Sequence, residues 1–155
     1  MKPNSKNWRL RETRSRQQLF SYVSKVLLFY FVLLLTYTGI SKITELKTLY
    51  TTLINAPLYL DNELATIGQW LIPISEIALA LSISFKKTRK IGYLGITSLF
   101  ILLSLYSGWI NWFLPNKPCS CGGLISLLSW KQHVLFNLIN LLLALTAWYI
   151  TEPKD

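Results

Sequence analysis

Charge is scarce in this 155-residue chain: Asp, Glu, Lys and Arg make up only 15% of it, against roughly 25% in an ordinary soluble domain. That shortage argues against a soluble globular protein. A single His and two Cys leave too few ligands for a zinc finger or an iron–sulfur cluster, and too few thiols for a disulfide-built secreted scaffold. No low-complexity tract and no internal repeat stands out. Apolar residues are plentiful instead: the AVILMFWYC set makes up 52%, with six Trp and eight Tyr, and the mean hydropathy is +0.36. The length allows one compact domain or a handful of membrane spans.

Four apolar stretches approach the ~20 residues that cross a bilayer as a helix. They run over about 22–40, 67–85, 91–112 and 134–150. The first begins with Lys25, the second carries Glu76, the third has no charge, and the fourth is bounded by His133 and Glu152. The fold class expected is therefore all-α, an integral membrane four-helix bundle. Residues 1–21 form a basic tail, 22–150 the membrane domain, and 151–155 a second short tail.

The net charge of +9 would suit a nucleic-acid partner, but the placement of the bases points to the lipid bilayer. Lys2, Lys6, Arg9, Arg11, Arg14, Arg16, Lys25, Lys86, Lys87, Arg89, Lys90 and Lys154 fall on one side of the predicted spans; Lys42, Lys47, Lys117 and Lys131 fall on the other. Twelve against four places both termini in the cytoplasm by the positive-inside rule, with the connections at 41–66 and 113–133 outside. No nucleic-acid role is expected. The polar N-terminal stretch is too long for a cleaved signal peptide and lacks an A-x-A-like site. Within the outer 41–66 connection, Ile43, Leu46, Tyr50, Leu53 and Ile54 recur at helical spacing, so this part is expected to lie on the surface or cap the bundle. Trp70, Trp109, Trp112, Trp130 and Trp148 fall near span ends, where an aromatic belt accounts for them.

Both cysteines sit in Pro118-Cys119-Ser120-Cys121-Gly122-Gly123, on the side assigned to the outside. An oxidising compartment permits a disulfide there. A C-x-C disulfide closes a small, strained ring, which makes it easily reduced, and it staples almost no chain. These properties favour redox exchange over structure. Pro118 stiffens the approach, and the two glycines leave room for another backbone. A short helix over 122–128 would put the cysteines at its N-terminus, where the dipole favours thiolate. Inert thiols and a copper or zinc site are the competing readings.

Polar groups in the spans add a second feature. Glu76 lies about 13 Å inside the second span, and an intramembrane carboxylate is a site by default because an unpaired charge there costs several kcal/mol. Pro73, three residues earlier, can loosen the helix. His133, Asn137 and Asn140 share one helical face, as glue between helices or as part of a site. Lys42 ends the first span on the same side. The expectation is a polar cluster of Lys42, Glu76, His133 and Asn137 beneath the cysteine loop. Glu76, His133 and Lys42 are its proton-handling or thiolate-stabilising groups, and Glu76 and Asn137 are candidates to line a quinone pocket.

Taken together, these segments resemble the MauE/DoxX group of four-span membrane proteins, and within it the MauE-like redox branch. Gly39-Ile40-Ser41-Lys42-Ile43 is similar to that group's G-x-x-K-hydrophobic segment, and Ile72-Pro73-Ile74-Ser75-Glu76 to its P-x-x-E. Cys119-Ser120-Cys121-Gly122-Gly123 resembles its C-x-C-x-G loop, with Gly122 where Phe is more usual. Trp130 through Asn137 resembles its W-x-x-x-x-x-x-N. The resemblance spans residues 20–150. It implies a bundle in the bacterial inner membrane whose C-x-C pair faces the periplasm, works with a thioredoxin-like protein, and supports maturation of an exported protein. Methylamine dehydrogenase is such a protein for MauE-type relatives, but nothing in this chain indicates that substrate. A lone dithiol also needs a second electron acceptor or donor, a quinone or another redox protein, because the chain has no further cysteines to relay through. Two other readings stay open: a non-enzymatic scaffold whose loop docks a periplasmic partner, and a transporter centred on Glu76.

Overall fold

The computed structural model describes residues 5–55, 61–113 and 129–151, with side chains from Ser15 onward. Among these residues there are five helices and no strand: α1 (Ser5–Thr44), α2 (Leu46–Ile54), α3 (Asn62–Ser84), α4 (Arg89–Phe113) and α5 (Trp130–Ile150). Four contain segments long and apolar enough to span a bilayer: Ser15–Thr44, Asn62–Ser84, Arg89–Phe113 and Trp130–Ile150. At about 1.5 Å per residue, even the shortest covers roughly 31 Å, the thickness of a hydrocarbon core. The protein is a multi-pass, all-helical membrane protein.

The helices form an up-and-down ring. α1 packs on α3 and α5, and α4 packs on α3 and α5, with the α1–α5 seam the thinnest of the four. In the centre, Phe31 of α1 meets Tyr93 and Phe100 of α4, each ring pair 6.2 Å apart. Leu35, Ile83, Ile96, Ala144 and Ala147 complete this core. Large apolar side chains such as Phe29, Leu71, Leu102 and Leu142 point outward and are exposed, the surface that a bilayer would cover.

The starts of α3 and α5 and the turn from α3 to α4 have local causes. Asp61 caps α3 by accepting from the Leu64 backbone N–H at 2.8 Å, and Glu63 in the first turn complements the helix dipole. α5 opens on a capping box: the Ser129 side chain accepts from the Gln132 backbone, and Gln132 Oε1 accepts from the Ser129 N–H. Between α3 and α4 the turn is tight. Arg89 Nε donates to the Ile83 carbonyl at 2.9 Å and Thr88 Oγ1 to the Ser82 carbonyl at 2.7 Å, satisfying carbonyls that the end of α3 leaves open.

Two polar starts extend helices beyond their hydropathic limits. α3 begins at Asn62 and α5 at Trp130, so Glu76 lies deeper along its helix than a start at 67 implies, roughly 21 Å from its first residue. The helical stretch in the 41–66 connection is α2. It breaks from α1 at Glu45 and packs on α3, with Leu49 buried.

Candidate functional site: a polar-ended cavity between α1, α4 and α5

The backbones of α1 and α3 approach closely at Gly39 and Pro73. A Cβ on Gly39 would stand 3.2 Å from the Pro73 carbonyl oxygen and 2.8 Å from Ile77 Cγ1, so the glycine is required by the contact. The helices run antiparallel, and helical side chains lean toward their own N-termini. Lys42, one turn beyond Gly39, therefore leans back along α1, while Glu76, one turn beyond Pro73, leans back along α3. Their side chains converge, and Lys42 Nζ donates to Glu76 Oε1 at 2.5 Å. The G-x-x-K and P-x-x-E segments are thus the two halves of one helix crossing. α3 continues unbroken through Pro73.

This pair closes one end of a cavity of about 160 Å³. α1 contributes Leu34, Thr38 and Lys42, α4 contributes Leu99, Leu103 and Ser107, and α5 contributes Trp130, His133, Phe136 and Asn137. From α3 only Glu76 reaches it. The expected cluster of Lys42, Glu76, His133 and Asn137 is therefore assembled around one space. Glu76 is 4% exposed, and its Oε2 has no hydrogen-bond partner among the described residues. A buried acceptor left so is costly in an apolar setting.

Within the cluster the bonding divides. Asn137 bonds to α4 rather than to the ion pair, its Nδ2 donating to Ser107 Oγ at 3.2 Å and to the Leu103 carbonyl at 3.3 Å. Asn140 is fully buried. It accepts from Tyr30 Oη at 2.9 Å and donates to the Phe136 carbonyl at 2.8 Å. Both asparagines hold helices together, and Asn137 lines the cavity as well. The His133 ring meets Trp130 edge-on, with centroids 5.7 Å apart.

Ser107, Tyr30 and the wall role of Trp130 are additions that the structure makes to the site. A hydroxyl in an uncharged span was a faint signal for the first, and the W-x-x-x-x-x-x-N spacing pointed at the last. Trp130 lines the cavity instead of serving only an interfacial belt. Trp148 is used differently again, with Lys90 Nζ 5.7 Å from its ring centroid. Cys119 and Cys121, and the short helix expected over 122–128, lie outside the described residues.

No curated protein and no solved structure matches the chain. Over residues 20–150, which include all four spans from residue 20 onward, it matches the family described as methylamine utilisation protein MauE. On that match, covering most of the sequence, the chain belongs to the MauE family.

Proposed function

We propose that this MauE-family protein is a thiol–disulfide exchange protein of the bacterial inner membrane, belonging to the redox branch of the family. Both termini are cytoplasmic in this reading. Cys119 and Cys121 face the periplasm and exchange a disulfide with a thioredoxin-like partner that serves the maturation of an exported protein. The observation that carries the reading is the C-x-C pair itself: it contains both cysteines of the chain and falls in the sequence between α4 and α5, ahead of the helix that supplies Trp130 and His133 to the cavity.

Exchange proceeds by attack of a thiolate on a disulfide sulfur, forming a mixed disulfide while one thiolate leaves; the second thiol of the pair then resolves it. The neighbouring polar groups suit the proton side of this chemistry. Lys42 supplies a fixed positive charge at the same end of the bundle, and Glu76 and His133 supply groups that take up or release a proton.

Mixed-disulfide trapping in cells tests the proposal. Of the single variants Cys119→Ser and Cys121→Ser, one accumulates a covalent adduct with the partner that reductant releases, and the double variant forms none. Failure of both single variants to trap a partner overturns the reading. A double variant that keeps full function assigns the loop to docking instead.

A further inference from the structure

The cavity has the size and polarity of a binding site for one six-membered ring. Its volume is about 160 Å³, close to the ~150 Å³ of an apolar protein cavity that accommodates benzene. Leu34, Leu99, Leu103 and Phe136 supply apolar wall, Thr38, Ser107 and Asn137 add polar groups to it, and Lys42 and Glu76 bring the ion pair. α1 and α5 both line the space, and the seam between them is the thinnest in the ring. They are tied by the Tyr30–Asn140 hydrogen bond, and toward Trp130 their facing side chains become cavity lining. Tyr37, two turns along α1 from Tyr30, lines the cavity and is 49% exposed, so a ligand there has a side chain at hand that also reaches the outer surface of the bundle.

The polar end selects the ligand's head. Lys42 offers ammonium protons beyond the one given to Glu76, so it can donate to a ring carbonyl. Glu76 Oε2 is buried without a partner among the described residues, so it can accept from a ring hydroxyl. A lipid-soluble ring whose oxygen is a carbonyl in one state and a hydroxyl in the other satisfies both. We propose that this cavity binds the ring of a membrane quinone, with one ring oxygen between Lys42 and Glu76 and the tail leaving through the α1–α5 seam.

Binding stands on the cavity alone; the electron transfer it permits rests on the thiol-exchange reading. There, two S–H bonds of Cys119 and Cys121 break and one S–S bond forms. Two electrons and two protons pass to the quinone, which becomes the hydroquinone with two new O–H bonds. The chain thereby gains the second redox partner that a lone dithiol requires.

The test is a titration of the detergent-solubilised full chain, its thiols oxidised beforehand, with decyl-ubiquinone. Tryptophan fluorescence reports binding, and decyl-ubiquinol is measured by competition under argon. Saturable quenching is expected, with the quinol bound about tenfold more tightly than the quinone, the worth of one hydrogen bond to a charged acceptor. Leu103→Phe, which fills the cavity from the α4 wall, weakens both about tenfold or more. Glu76→Gln turns an amide N–H toward the ring while its oxygen stays on Lys42, and so abolishes the preference for quinol. Quenching that rises without saturation, unchanged binding in a folded Leu103→Phe, or an intact quinol preference in Glu76→Gln overturns the proposal. No thiol partner is present in this titration, so its failure leaves disulfide trapping untouched, and a failure of trapping leaves the binding result standing.

Discussion

Removing the ammonium of Lys42 while leaving Glu76 in place tests the helix crossing on which the site is built. In Lys42→Met the stem of the side chain is kept and the charge is lost, so the carboxylate stays buried without its donor. At an effective dielectric of ~20, opposite unit charges roughly 3 Å apart attract by about 5–6 kcal/mol, and the cost of burying both cancels much of this. Stripping one partner from a buried pair costs about 3–5 kcal/mol. The Lys42 side chain is 24% exposed against 5% for Glu76, which lowers the expected loss to ~2–4 kcal/mol because water reaches the ammonium. Replacing both groups, as in Lys42→Met/Glu76→Leu, removes the stranded charge as well, and stability returns to within about 1 kcal/mol of the wild type. The assay is a double-mutant cycle, read from reversible unfolding in mixed micelles with increasing SDS. A coupling energy of ~2 kcal/mol or more is expected. Additive single effects, with coupling under about 0.5 kcal/mol, would refute the pairing and the crossing geometry with it.

Other contacts lead to further measurable outcomes. Gly39→Ala drives a Cβ against Ile77 and the Pro73 carbonyl, so it destabilises the bundle by roughly 1–3 kcal/mol, and Ile77→Ala in the same chain recovers part of that loss in the same unfolding assay. Tyr30→Phe removes the hydrogen bond to Asn140 and costs only about 0.6 kcal/mol, the usual worth of an interhelical bond within a membrane. Phe31→Ala empties the place where α1 meets Tyr93 and Phe100 and costs about 3 kcal/mol or more; a loss below 1 kcal/mol would show that the central aromatic contact is not formed.

The pair of Lys42 and Glu76 is legible in the sequence because charge inside an apolar run demands a partner, and only a few candidates lie on the same side. The four spans were legible for the same reason, since hydropathy measures what a bilayer selects. The starts of α3 and α5 were not, because they are set by polar caps that lower hydropathy: Asp61 on α3, and Ser129 with Gln132 on α5. The S-x-x-Q spacing of that second cap was present in the sequence as a start signal, hidden by the apolar run that follows at 134. The cavity itself could not be read from the chain. Its lining comes from four helices, so it is a property of how they pack and not of any one residue. Ser107 became visible as a partner of Asn137 only once the register of α4 against α5 was fixed.

Under the proposed function, Cys119 and Cys121 form a reducible disulfide on the outer face of the membrane. The most direct test is labelling of intact cells with a membrane-impermeant maleimide, before and after mild reductant. No labelling at first, and labelling of both cysteines after reduction, is the expected result. Equal labelling throughout would contradict the disulfide, and no labelling under either condition would contradict the outward placement of the loop.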